Sequence, residues 1–146
     1  MSNPPVLLIE DNPDDVMLTM RAFAQNTIDN KVVVASDGAA GLAYLLPEDG
    51  SEPLRPAVVL LDLNLPKIGG LELLRLIRAD PRTQAQPVVI LTTSGEERDI
   101  IESYRLGANS FIRKPVVFTE FIEATRLLGM YWLLVNEPPP LPGGRC

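Results

Sequence analysis

"VVLLDLNLP", residues 58 to 66, places an ionisable group at the tip of a strongly hydrophobic run. Val58 to Leu61 read as the middle of a buried strand, and the run ends on Asp62, with Asn64 and Pro66 close behind. Burying a charge without a partner is costly, so Asp62 is either an accident of the strand's end or it has something to bind. Runs of the same kind recur as VLLI at 6–9, VVVA at 32–35, VVIL at 88–91 and SFI at 110–112, each followed by helical spacing. They are dense in Val, Ile and Leu and do not alternate with polar residues, which suits strands of a parallel sheet covered by helices on both faces. Five such units predict an α/β fold. Right-handed crossovers then favour the flavodoxin-like strand order 2-1-3-4-5, with ligands beyond the carboxyl ends of strands 1 and 3.

The segments between the runs carry helix signals. DNPDD caps a first helix with apolar positions Val16, Met17, Met20 and Phe23, and Ser36 or Asp37 opens a second through Leu42 and Leu45. A third follows Gly69-Gly70, carries Leu71, Leu74 and Ile77, and stops near Asp80-Pro81. A fourth runs from about Glu96 to Leu106 and is ended by Gly107. PEDGSEPLRP at 47–56 reads as a loop, and the tail at 137–146 is too rich in Pro and Gly to pack. One compact domain over residues 1–136 is expected, with an extended last helix.

The bulk chemistry excludes several function classes. Apolar residues make up 46% and charged residues 22% of the 146 positions, and no run approaches the about 18 apolar residues of a membrane span. The N-terminus has no basic region before its short apolar run, so a cytoplasmic protein is expected. A net charge of −6 argues against nucleic-acid binding. With no histidine and a single cysteine, Cys146, there is no Ser-His-Asp or Cys-His catalysis and no thiolate or imidazole zinc site. Chemistry must come from carboxylates, hydroxyls, lysine and a hard cation.

Those groups fall at the expected sheet edge. Strand 1 ends in Glu10 and Asp11, and strand 3 in Asp62. Two carboxylates ~4 Å apart repel by ~4 kcal/mol at an effective dielectric of about 20, so the cluster calls for a counter-charge. An oxygen-only donor set suits Mg²⁺, which keeps room for phosphate oxygens. Strand 4 ends in Thr92 and Thr93, and strand 5 leads to Lys114. A carboxylate nucleophile, a hard cation, a hydroxyl and an ammonium ion make a phosphoryl-transfer site with Asp62 as the acceptor.

"LLIEDNPDD", "VVLLDLNLPKIGG", "VVILTTSG" and "GANSFIRKP" together resemble the signature blocks of the receiver domain of two-component response regulators, over roughly residues 5 to 128. The resemblance implies that Asp62 is the phosphoacceptor, that Asp11 and the Asn64 main-chain carbonyl join it in binding Mg²⁺, and that Glu10 supports the metal through water. It implies that Lys114 pairs with the acceptor carboxylate and then the phosphoryl group, that the Lys114–Pro115 bond is cis, and that Thr92 donates to a phosphoryl oxygen. The phosphoryl donor is then a phosphohistidine on a sensor histidine kinase. The Thr92 movement is expected to couple to Phe111, by packing alone because phenylalanine lacks the hydroxyl of the tyrosine often found there. Phe111 also has a plain reading as a core-edge aromatic.

About 20 residues follow the receiver-like blocks, too few for an attached output domain, so signalling through protein contacts is expected. The last helix starts near Val117 and runs into "MYWLLV" at 130–135, apolar on all sides where one packed face needs only a stripe. Either the run folds back on its own domain, or it covers a second copy in a homodimer through the surface around helix 4, strand 5 and the extended last helix, with Phe118, Tyr131, Trp132 and Leu133 at the contact. The extended C-terminus, the "DPRTQAQPVVILTTS" block and the "MYWLLVNEPPP" ending are similar to stand-alone regulators that serve bacterial phytochrome histidine kinases, which implies a bacteriophytochrome partner. Three rival readings are weaker. An Asp-nucleophile phosphatase of the haloacid dehalogenase type needs an acid where Asn64 stands, and a flavodoxin needs a phosphate-cradling first loop where EDNPDD is acidic. A receiver-like adaptor that works without phosphorylation would not need the full set of groups retained here.

Overall fold

The computed structural model describes residues 4–26, 29–115 and 117–140. Five strands, β1 (Val6–Ile9), β2 (Val32–Ala35), β3 (Val58–Leu61), β4 (Val88–Thr92) and β5 (Ser110–Arg113), form one sheet. Its order is β2-β1-β3-β4-β5 and every pairing is parallel. Helices α1 (Pro13–Gln25), α2 (Gly38–Leu45), α3 (Gly70–Ala79) and α4 (Glu97–Arg105) fill the crossovers, α5 (Phe118–Gly129) follows β5, and together they cover both faces. The flavodoxin-like α/β fold expected from the strand runs is the one observed.

Period-two alternation splits the apolar runs between two cores. Leu7, Ile9, Val59, Leu61 and Ile90 face one side with Leu45 of α2 and Leu73, Leu74 and Ile77 of α3. Val6, Leu8, Val58, Leu60, Val89 and Leu91 face the other with Phe23 of α1 and Leu128 of α5. Each large side chain fully removed from water contributes roughly 1.5–3 kcal/mol. The central strands are therefore apolar throughout, whereas the edge strands β2 and β5 are only half-buried along most of their length.

Helix starts follow the capping signals. The Asn12 side chain accepts from the Asp14 and Asp15 amides and Pro13 occupies the first turn; Asp37 caps α2 by accepting from Ala40 N–H. Gly107 ends the α4 segment at φ +104°, a conformation that favours glycine. On α1 the inner face differs from the expected one. Phe23 is buried and Val16 half-buried, but Met17 is 63% exposed and Met20 41% exposed. Thr19 takes the inner position instead, and its hydroxyl is satisfied by the Asp15 carbonyl at 2.8 Å.

The last helix does not run on as an α-helix. After Gly129 the backbone widens into a π-helix over Met130–Val135, closed by an Asn136 N–H bond to the Tyr131 carbonyl at 2.6 Å. This turn brings Trp132 and Leu133 together onto the core beside Leu128. Leu134 and Val135 are left 81% and 64% exposed. Part of MYWLLV thus folds back on its own domain, and part stays open. Residues 137–140 carry no regular structure, and the rest of the expected tail, with Cys146, lies outside the described residues.

Candidate functional site

The carboxyl edge of the sheet extends its hydrogen bonding past the strands and so fixes the residues that follow. Glu10 N–H donates to the Ala35 carbonyl at 3.0 Å, Asp62 N–H to the Ile9 carbonyl at 3.1 Å, and Lys114 N–H to the Thr92 carbonyl at 2.7 Å. Gly70, at the start of α3, allows this helix to sit against the strand end. A Cβ there would lie 2.6 Å from Leu63 Cα and clash with the Asp62 carbonyl oxygen. The loop between carries Lys67 in the left-handed region at φ 68°, with its ammonium 3.4 Å from Asp37.

Asp62 is 7% exposed. Its Oδ1 accepts from the Thr92 hydroxyl at 2.8 Å and from the Asn64 N–H at 3.3 Å, and its Oδ2 lies 3.6 Å from Lys114 Nζ. Glu10, 2% exposed, accepts from the Asn12 N–H at 3.2 Å through Oε2 and pairs through Oε1 with the Lys114 ammonium. Asp11 is exposed at the rim. Carboxylate oxygens of Glu10, Asp11 and Asp62 lie within 4.8 Å of one another, which brings the expected acidic trio together.

Charge in this confined space shows in the proton affinities. Burial pushes the Glu10 carboxyl up to about 7, with Lys114 pulling it down and Asp62 pushing it up. Burial alone would lower the Lys114 ammonium, but its bond to Glu10 and the charges of Asp62 and Asp15 outweigh that and leave it raised. One ammonium among these carboxylates leaves a negative excess. The oxygen-only donor set fits a hard divalent cation of the Mg²⁺ type.

Sequence reasoning missed Asp15. From the first turn of α1 its Oδ2 reaches Lys114 Nζ at 3.0 Å, so Lys114 is shared by Glu10, Asp15 and Asp62. The sign in the sequence was a second acidic residue one helical turn after Asp11. A second unpredicted pair joins the loop after β4 to α4, where the Ser94 hydroxyl donates to Asp99 at 2.5 Å.

The remaining expected residues stand apart from the trio, save for the Asn64 N–H on Asp62. Asn64 is exposed. Phe111 is half-buried on the core opposite Ile90, two register positions before Thr92. The Lys114–Pro115 bond is trans, against the expected cis form, as there is no cis peptide bond among the described residues. Phe118 lies under the Arg21 guanidinium of its own chain, 5.2 Å from the ring centroid. Of the residues expected at a dimer contact, Trp132 and Leu133 pack on their own core, while Tyr131, edge-on to Trp132 at 5.0 Å, is 49% exposed.

A family model for the response regulator receiver domain matches residues 6–126. Response regulator Rcp1 of Synechocystis sp. is 38% identical over 135 residues, covering 90% of this chain and 92% of Rcp1. A crystal structure of its Mn²⁺-bound form superposes with a TM-score of 0.83 at 34% identity, covering 94% of this chain and 100% of that one. The phosphorylated cyanobacterial phytochrome response regulator RcpA gives a TM-score of 0.85 at 36% identity over 95% and 100% of the two chains. The bacteriophytochrome response regulator RtBRR gives 0.74 at 45% identity over 96% and 86%.

Proposed function

The chain belongs to the response regulator receiver family, and from that premise we propose that it accepts a phosphoryl group on Asp62 from a sensor histidine kinase. One observation carries the reading. The buried Asp62 carboxylate stands at the end of a central strand with a hydroxyl, an ammonium ion and two further carboxylates converging on it.

One Asp62 oxygen attacks phosphorus in line with the leaving imidazole nitrogen; the P–O bond forms as the P–N bond breaks, and the bonding electrons leave with the imidazole. The Thr92 hydroxyl, already on Asp62 Oδ1, is placed to donate to a phosphoryl oxygen, and Lys114 to balance the added charge. Glu10, Asp11, Asp62 and the Asn64 main-chain carbonyl are the proposed Mg²⁺ environment, with Glu10 acting through water. Mg²⁺, when bound, supplies neutralising charge for the phosphoryl oxygens.

The output is a shift in population of the face formed by α4, β5 and α5, with Thr92 and Phe111 as the moving pair. Signalling then passes through altered protein contacts, among them a homodimer. The likeness to RcpA and RtBRR supports a phytochrome-type kinase as the partner. No helix among the described residues is long and apolar enough to cross a membrane, in keeping with a proposed cytoplasmic site of action.

The test is mass spectrometry of the chain incubated with phosphoramidate, with and without Mg²⁺, beside Asp62→Asn. A Mg²⁺-dependent gain of one phosphoryl group that is lost in Asp62→Asn is the expected result. No gain would favour a receiver-like adaptor, and a gain retained in Asp62→Asn would move the acceptor elsewhere.

A further inference from the structure

Lys114 has more carboxylates than a single acceptor requires. An ammonium ion has three hydrogens to donate. Glu10 takes one and Asp15 Oδ2, at 3.0 Å, takes another; Asp62 Oδ2, at 3.6 Å, is beyond hydrogen-bond range. The resting ammonium is therefore held chiefly by Glu10 and Asp15. These two differ in what else they do. Glu10 belongs to the oxygen cluster with Asp11 and Asp62 that can hold a cation, and Asp15 lies outside it.

A divalent cation in that cluster competes with Lys114 for Glu10 and Asp62 and repels the ammonium as well. The carboxylate that remains is Asp15. We propose that Asp15 is a positioning residue for Lys114, holding its ammonium ion at the site when a cation occupies the Glu10, Asp11 and Asp62 oxygens.

Its own mounting suits that task. The Asp15 N–H donates to the Asn12 side chain at 3.3 Å, and its carbonyl accepts from the buried Thr19 hydroxyl at 2.8 Å, so the backbone that carries the carboxylate is tied from both sides. The first turn of α1 also favours a negative side chain. Thr19, the polar residue on the inner face of this helix, thereby acquires a reason: it anchors the carbonyl of the residue that holds Lys114.

The proposal rests on the phosphoacceptor reading of Asp62, and its test has one arm that needs no phosphorylation. The chain has three lysines, and Lys31 and Lys67 are exposed, so a slowly exchanging ammonium signal in ¹⁵N nuclear magnetic resonance belongs to Lys114. In the full chain this signal is expected to persist as Mg²⁺ is raised to saturation. In Asp15→Asn it is expected to be present without Mg²⁺ and lost with it, and Asp15→Glu should retain it. In the second arm, phosphoryl uptake from phosphoramidate at saturating Mg²⁺ should fall about tenfold in Asp15→Asn and recover in Asp15→Glu, the scale of a misplaced catalytic group. A signal that survives Mg²⁺ in Asp15→Asn, one absent from the unaltered chain, or uptake unchanged by Asp15→Asn would each overturn the proposal. A salt bridge of merely structural value would lower stability with and without Mg²⁺ and leave the Mg²⁺ response of the signal alone. Uptake retained in Asp62→Asn would strike the acceptor assignment instead, leaving the resonance result standing.

Discussion

The Thr92 hydroxyl, on the last residue of β4, donates to Asp62 Oδ1 at 2.8 Å across the end of the sheet. Both side chains are buried, so removing the hydroxyl leaves a carboxylate oxygen served only by the long Asn64 N–H bond. Thr92→Ala should cost about 1–3 kcal/mol of stability and slow phosphoryl uptake without abolishing it. Thr92→Ser should restore most of both. Urea unfolding and time-resolved mass spectrometry check the pair; equal losses in the alanine and serine variants would remove the hydroxyl from the account.

Among the described residues Lys114 is the one ammonium at Glu10, Asp15 and Asp62, and its side chain is 5% exposed. Lys114→Met leaves those carboxylates without their cation, for which the expected loss is about 3–5 kcal/mol in a chelator. Mg²⁺ should return part of that stability by supplying the missing charge. Urea midpoints measured with and without Mg²⁺ decide it, since a variant equally weakened in both would have lost packing rather than charge balance.

Glu10 makes the stability of the metal-free protein depend on pH. Its folded carboxyl titrates at about 7, above the ordinary value of 4.5, with burial as the main cause. The folded state therefore holds this proton more tightly than the unfolded chain. The resulting stabilisation is complete below about pH 4.5 and is lost as pH rises through about 7. Unfolding free energies measured from pH 5 to 8 in a chelator should fall with pH, and Glu10→Gln should flatten the slope. An unchanged slope in that variant would assign the titration to another group.

The strands and their order were legible because unbroken Val, Ile and Leu runs have few homes other than a sheet covered on both faces. Glu10, Asp11, Asp62, Thr92 and Lys114 were legible for a related reason: each follows or ends such a run, so the strand order alone brings them to one edge. Asp15 was not, because its contact with Lys114 spans 99 positions and depends on how α1 is rotated. That rotation was itself misread, since Thr19, with its hydroxyl bonded to a backbone carbonyl, occupies an inner position that hydrophobicity would give to a methionine. The π-helix at Met130–Val135 was hidden for the opposite reason: a run that is apolar all round carries no period from which to read its turn.

Gly70 sets how closely α3 approaches Asp62. A Cβ at this position meets backbone atoms of Asp62 and Leu63, which cannot turn aside as a flexible side chain can. Gly70→Ala should cost about 1–3 kcal/mol as the helix start is forced away, in line with other overpacked positions. Gly69→Ala, next to it and with open space around the added methyl group, serves as the control and should be tolerated. Comparable losses in both variants would show that the cost comes from the chain's bend rather than from contact with the acceptor loop.

The exposed end of the π-helix offers a cleaner test of self-association than its packed half. Trp132 and Leu133 belong to their own core, so Trp132→Glu would disrupt the subunit as well as any dimer. Leu134 is 81% exposed and Val135 64%, and together with Tyr131, half-exposed although edge-on to Trp132, they give an open apolar strip. If a second copy covers this strip, Leu134→Glu should weaken the dimer at least tenfold, the loss expected when a charge is buried against an apolar partner surface. The melting temperature of the monomer should stay where it was, because that side chain supports little in its own subunit. Sedimentation velocity over a concentration series reads the association and circular dichroism reads the fold. A dimer unaffected by Leu134→Glu would move the contact off this strip, with Ile101 and Tyr104 of α4 among the exposed apolar residues to test next.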